Sequence, residues 1–104
     1  MSDPQFRLTG ASGEQAPIIT ATGDVDLANV NQFHDMMTKA ANGASALTID
    51  LSEVSYCDSA AVRALFSVAA ITKLSLVIRS EGPIRMLLSV SGLDRVATVI
   101  AAEQ

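Results

Sequence analysis

Apolar residues recur along the chain with two alternating periods. Gln5 to Thr9 and Ile18 to Thr22 read as short strands on either side of the Gly/Ser/Ala-rich stretch Gly10 to Pro17, a spacing that predicts a hairpin with a loose loop. Val30, Phe33, Met37 and Ala40 then fall on one helical face. That helix is predicted to begin near Ala28 and end near Asn42, with Gly43 where a helix C-terminus favours a left-handed residue. Ala46 to Leu51 (ALTIDL) is short, apolar and β-branched, as a central strand is, and a short polar loop is predicted to carry it into Asp58-Ser59. Val62, Leu65, Phe66 and Ala69 give the helix opening at Ser59 one apolar stripe. Leu74 to Arg79 supplies a further strand. Pro83, suited to a first helical turn, leads Ile84, Leu87 and Leu88 toward a stop at Gly92, and Val96 to Ile100 makes the last strand.

Strands alternating with helices require crossover connections, so the expected fold class is α/β: a mixed, mostly parallel sheet of about five strands covered by about three helices. The length of 104 residues fits one domain, expected to span 1–104 with its core at about 6–100, and 49% hydrophobic residues suffice for one core.

Charge narrows the partners. Only 17% of residues are charged and the formal net charge is −4, with a pI near 4.6, so no basic field exists to recruit nucleic acid or an anionic membrane surface. The single cysteine, Cys57, leaves no internal disulfide and points to a reducing, cytoplasmic setting. The start MSDPQFRLTG has neither the basic flank nor the apolar run of a signal or anchor.

Ser59 sits where a predicted helix begins, and a helix start offers unpaired N–H groups and a partial positive charge. By residue type, Asp58 or Ser59 reads simply as the helix cap. The order and spacing of Asp50-Leu51, Val54 and Asp58-Ser59 add something further, because they resemble the STAS domain signature of anti-sigma factor antagonists. Gly23-Asp24-Val25-Asp26-Leu27 and Gly92-Leu93-Asp94 are similar to two other segments of that family, so the resemblance runs over about residues 6 to 100.

The resemblance implies a STAS-like fold with a C-terminal helix, which is short or absent here because only Ala101 to Gln104 follow the last strand. It implies that Ser59 is phosphorylated by an anti-sigma factor with ATP-dependent serine kinase activity. The unmodified chain would bind that factor, free a sigma factor for transcription, and be reset by a phosphatase. Asp26, Asn29, Asp58, Ser59, Ala60 and Ala61 are the candidate partner-binding positions. The resemblance implies that Asp26 either orients the hydroxyl or contributes to partner recognition, while by residue type it reads as a cap for the helix near Ala28; Asp24 and Asn31 are open between surface decoration and no role. Ala61 departs from the family, which usually has Gly two residues after the serine, and its methyl is expected beside the site.

An enzyme is not expected. His34 lacks a nucleophile-elbow sequence near Ser59, the His, Cys and carboxylates show no metal-ligand spacing, and no Gly-rich phosphate cradle calls for a cofactor. Met36, Met37 and Met86 read as core, and Cys57 as a small core or loop-base residue with modest reactivity. The alternative function is a STAS scaffold or a module sensing a small ligand such as a nucleotide, with Ser59 only a cap.

Overall fold

The computed structural model describes residues 5–10 and 16–102. The strands are β1 (Phe6–Thr9), β2 (Ile18–Val25), β3 (Ala46–Cys57), β4 (Lys73–Ile78) and β5 (Thr98–Ala101); the helices are α1 (Val30–Ala41), α2 (Ser59–Ala69) and α3 (Pro83–Ser91), with a 3₁₀ turn at Leu93–Arg95. The sheet order is β1-β2-β3-β4-β5, with β1 antiparallel to β2 and every other pair parallel, as the alternation of periods requires. The predicted loop between β1 and β2 falls mostly on residues 11–15, outside the described residues, as does whatever conformation follows at 103–104.

Because the parallel strands are laid down in sequence order, right-handed crossovers put all three helices over one face. Burial agrees: Ile19, Ala21, Leu47, Ile49, Leu74, Leu76 and Ile78 join Phe33, Met37, Leu65, Val68 and Leu88 in a single core, and Phe6 stacks on Phe33 with ring centroids 4.9 Å apart. The opposite face, crossed by the row Thr20, Asp50, Val77 and Ile100, carries no helix among the described residues, so the three helices cover one side of the sheet.

The polar loop expected after Leu51 does not exist. β3 runs on to Cys57 beside an equally extended β2, through two register shifts at which β3 carries an extra residue: Thr20 pairs with Asp50 but Thr22 with Glu53, and Gly23 with Val54 but Asp24 with Tyr56. Each bulge shifts the inward-facing positions by one, so burial passes from Ile49 and Leu51 to Val54 and Cys57, a spacing of three that disguises a strand as a loop.

The face of α2 also differs. Ala61, Ala64, Leu65 and Val68 are buried while Val62, Phe66 and Ala69 are only partly so, and the two alanines let the helix lie close to its neighbours. Met86 is 68% exposed and is not core. Gly43 and Gly92 end their helices at φ +83° and +84°, the left-handed conformation expected of them. Among the described residues no helix is long and apolar enough to cross a membrane.

Candidate functional site

The extended β2 and β3 end side by side, since Val25 pairs with Cys57, and this delivers the turn at residues 26–29 directly beside the start of α2. Asp58 joins the two. Its Oδ1 accepts from the backbone N–H of Ala60 and of Ala61 at 3.0 and 3.1 Å, and its Oδ2 accepts from the N–H of Leu27 at 3.1 Å. Its own N–H donates to the Val25 carbonyl at 3.2 Å. One carboxylate therefore caps α2 and ties the neighbouring loop to it.

Asp26 and Asn29 hold that loop in a reciprocal pattern of the capping-box kind. Asp26 Oδ1 accepts from the Ala28 N–H at 3.0 Å, and Asn29 Oδ1 accepts from the Asp26 N–H at 3.0 Å. Asn29 Nδ2 donates to the Asp24 carbonyl at 2.9 Å, where Gln5 Nε2 also donates, at 2.6 Å. Both side chains thus have structural work, and helix α1 starts at Val30, two residues later than expected. Asp24 belongs to the end of β2 rather than to the loop, and its side chain is exposed, as is Asn31 in the first turn of α1.

Ser59 is the first residue of α2, not its cap, and is exposed. Its hydroxyl and its N–H have no partner among the described residues, whereas the next two amides are taken by Asp58. A phosphoryl group on Ser59 would therefore meet a helix start whose amides are largely occupied, with Asp58, Asp26 and Asp24 close by. Ala60 is partly exposed beside it. Ala61 lies elsewhere: its methyl is 0% exposed and packs into the core, so the feature expected beside the site faces inward, because the third position of α2 points at the sheet.

Cys57 is buried at the base of the site, paired with Val25 at the end of β3. Burial first, then the negative charges of Asp58 and Asp24, push its thiol from 9.0 up to about 12, so it carries no thiolate near neutral pH. His34 has a partner of its own on α2. Its Nε2 lies 2.9 Å from the hydroxyl oxygen of Ser67, which itself donates to the Ala64 carbonyl at 2.8 Å, so the imidazole is engaged by Ser67 on α2 and not by Ser59. Among the described residues there is no cluster of three or more His, Cys, Asp or Glu that could hold a metal.

Two features carried no sequence motif: the bond from Leu27 to Asp58, and Arg63, which lies one helical turn after Ser59. The only hint of the second was its spacing of four on a helix.

The chain matches the family model described as "Mlab, STAS domain" over residues 8–101. No curated protein matches it. Among solved structures it is similar to an anti-sigma factor antagonist from Mycobacterium paratuberculosis at 21% identity and a TM-score of 0.81, covering 98% of this chain and 92% of that one. It is also similar to the Bacillus cell fate determinant SpoIIAA in its phosphorylated form, at 21% identity and a TM-score of 0.64, over 94% and 92% of the two chains. The unphosphorylated anti-sigma factor antagonist SpoIIAA aligns at 16% identity and a TM-score of 0.60, over 88% and 96%. At these identities the likeness is one of fold.

Proposed function

The chain belongs to the STAS domain family, and from that membership and the surroundings of Ser59 we propose that it is an anti-sigma factor antagonist. It acts in the cytoplasm by binding and not by catalysis: the unmodified chain occupies an anti-sigma factor of the serine kinase type and so releases a sigma factor. Phosphorylation of Ser59 by that kinase ends the interaction, and a phosphatase restores it. The likeness to antagonists that include a phosphorylated form supports this reading.

The observation that carries it is the division of labour between neighbours. Asp58 caps α2, which leaves Ser59 exposed at the first helical position with a hydroxyl that does nothing for the fold. A reading in which Ser59 serves only as a cap loses its physical basis. Asp26, Asp58, Ser59, Ala60 and Asn29 form the presented surface, with Asp26, Asn29 and Asp58 setting its shape through backbone bonds.

Phosphate adds about −1.5 to −2 charges at pH 7, next to Asp58 and on a chain of net charge −4. In a docked interface that charge must find a cation or be stripped of water without one, which costs about 3 kcal/mol and so more than a hundredfold in affinity. Calorimetric titration against the purified anti-sigma factor tests this. Ser59→Glu is expected to weaken binding by about a hundredfold and Ser59→Ala by less than about threefold, while a carboxylate in the first turn leaves the helix as stable as before. Equal affinity of Ser59→Glu and wild type would refute the switch.

A further inference from the structure

Arg63 stands one turn beyond Ser59 on α2, at the i,i+4 spacing that brings side chains to within about 6 Å on one helical face. Both residues are exposed, and the guanidinium has no ion pair or hydrogen bond among the described residues. It overhangs a groove of about 350 Å³ between α1 and α2, floored by Val30 and Ala64 and flanked by Ala60 and by Leu27, which is 75% exposed. On a chain with more acids than bases, none of the residues lining this groove is acidic; His34 and Arg63 are its only ionisable groups.

We propose that Arg63 is the residue that reads the modification. In the unmodified chain it is offered to a carboxylate on an apolar segment of the anti-sigma factor seated in the α1–α2 groove; once Ser59 is phosphorylated, the phosphate takes the guanidinium within α2 and withdraws it from the partner. The inference rests on the proposed function for the identity of that partner. Its physical basis is local. The Ala60 and Ala61 amides that would otherwise help neutralise a phosphate are held by Asp58, and the Asp58 carboxylate beside Ser59 repels it. The neighbouring cation with a free planar fork is then the available counter-charge, and guanidinium pairs with phosphate through two parallel bonds. Charge complementarity selects the groove's occupant: a segment presenting apolar side chains to Leu27 and Val30 and an acid to Arg63. Because Ala60 lines the groove next to Ser59, the modification occurs at its rim and couples to it directly.

The test begins without the partner. The chain carrying phosphoserine at position 59 is titrated by ³¹P NMR as wild type, Arg63→Ala and Arg63→Lys. The nearby carboxylates raise the phosphate's second pKa in all three, so the difference between them isolates residue 63. The phosphate of Arg63→Ala is expected to titrate about 0.5 pH unit higher than that of wild type, with Arg63→Lys between them. Identical titrations would overturn the pairing. In the second arm the unmodified chains are titrated with the purified anti-sigma factor, where Arg63→Ala and Leu27→Ala are each expected to weaken binding about tenfold. Affinity unchanged by both, while Ser59→Glu still weakens binding about a hundredfold, would overturn the handover and leave the proposed function standing. Failure of wild type to bind any anti-sigma factor would bring down the proposed function and the handover together, while the first arm would still decide the Arg63–phosphate pair. Concentration-dependent dimers lost in Leu27→Ala would give the groove to a second copy of the chain and overturn the handover.

Discussion

Asp58 has more structural consequence than the serine beside it. Three backbone amides from two segments converge on its carboxylate, so Asp58→Ala removes a helix cap and a tie between loops at once. The expected loss is about 2 kcal/mol of stability by urea unfolding, with Asp58→Asn losing less because one oxygen remains to accept from α2. The cap was legible in the residue types; its assignment to Asp58 rather than Ser59 was not, because either residue caps well and only the backbone decides which one lies just outside the helix. Cys57 gives a second expectation at this scale. An unfolded thiol loses its proton near 9.0, whereas the folded one holds it to about 12. Between those values the unfolded state binds fewer protons, so stability falls as pH rises from about 9 toward 12, by about 1.4 kcal/mol per pH unit. Urea melts stepped through that range should fall more steeply for wild type than for Cys57→Ala, and parallel curves would contradict the buried thiol.

Among the elements, the helices and the first halves of β2 and β3 followed from periodicity, whereas the ends of β2 and β3 did not, and β5 begins at Thr98 and not at the expected Val96, which closes the 3₁₀ turn instead. Two bulges in β3 replace the alternation of two by a spacing of three from Leu51 to Val54 to Cys57, and no local residue signal announces that change. The error mattered for function, because the extra length of these strands is what sets the turn at residues 26–29 against α2. The face of α2 was read only in part: Leu65 is buried as its periodicity suggested, but it is joined there by Val68 and the small residues Ala61 and Ala64, while Val62, Phe66 and Ala69 are only partly buried. Ala61→Gly is therefore a test of packing and not of recognition. Loss of a buried methyl and of helix propensity should cost about 1 to 2 kcal/mol in urea unfolding, with partner affinity unchanged within about twofold.

At the scale of the molecule, one face of the sheet carries all three helices and one end gathers Ser59, its acidic neighbours and the mouth of the α1–α2 groove. The alternation of helix and strand was enough to foresee a mixed, mostly parallel sheet, and short right-handed connections then lay its strands down in sequence order. The gathering at one end depends on the overrun of β2 and β3, which periodicity could not show. Such a placement lets a charge added at the surface alter a partner's footing without disturbing the core. The direct test is to incubate the purified chain with the proposed partner, an anti-sigma factor of the serine kinase type, and Mg-ATP and map the modified residue by peptide mass spectrometry. A single phosphoryl group is expected on Ser59 and none on the Ser59→Ala variant. Phosphate on Ser52, Ser55, Ser67 or another residue, or no transfer at all, would contradict it.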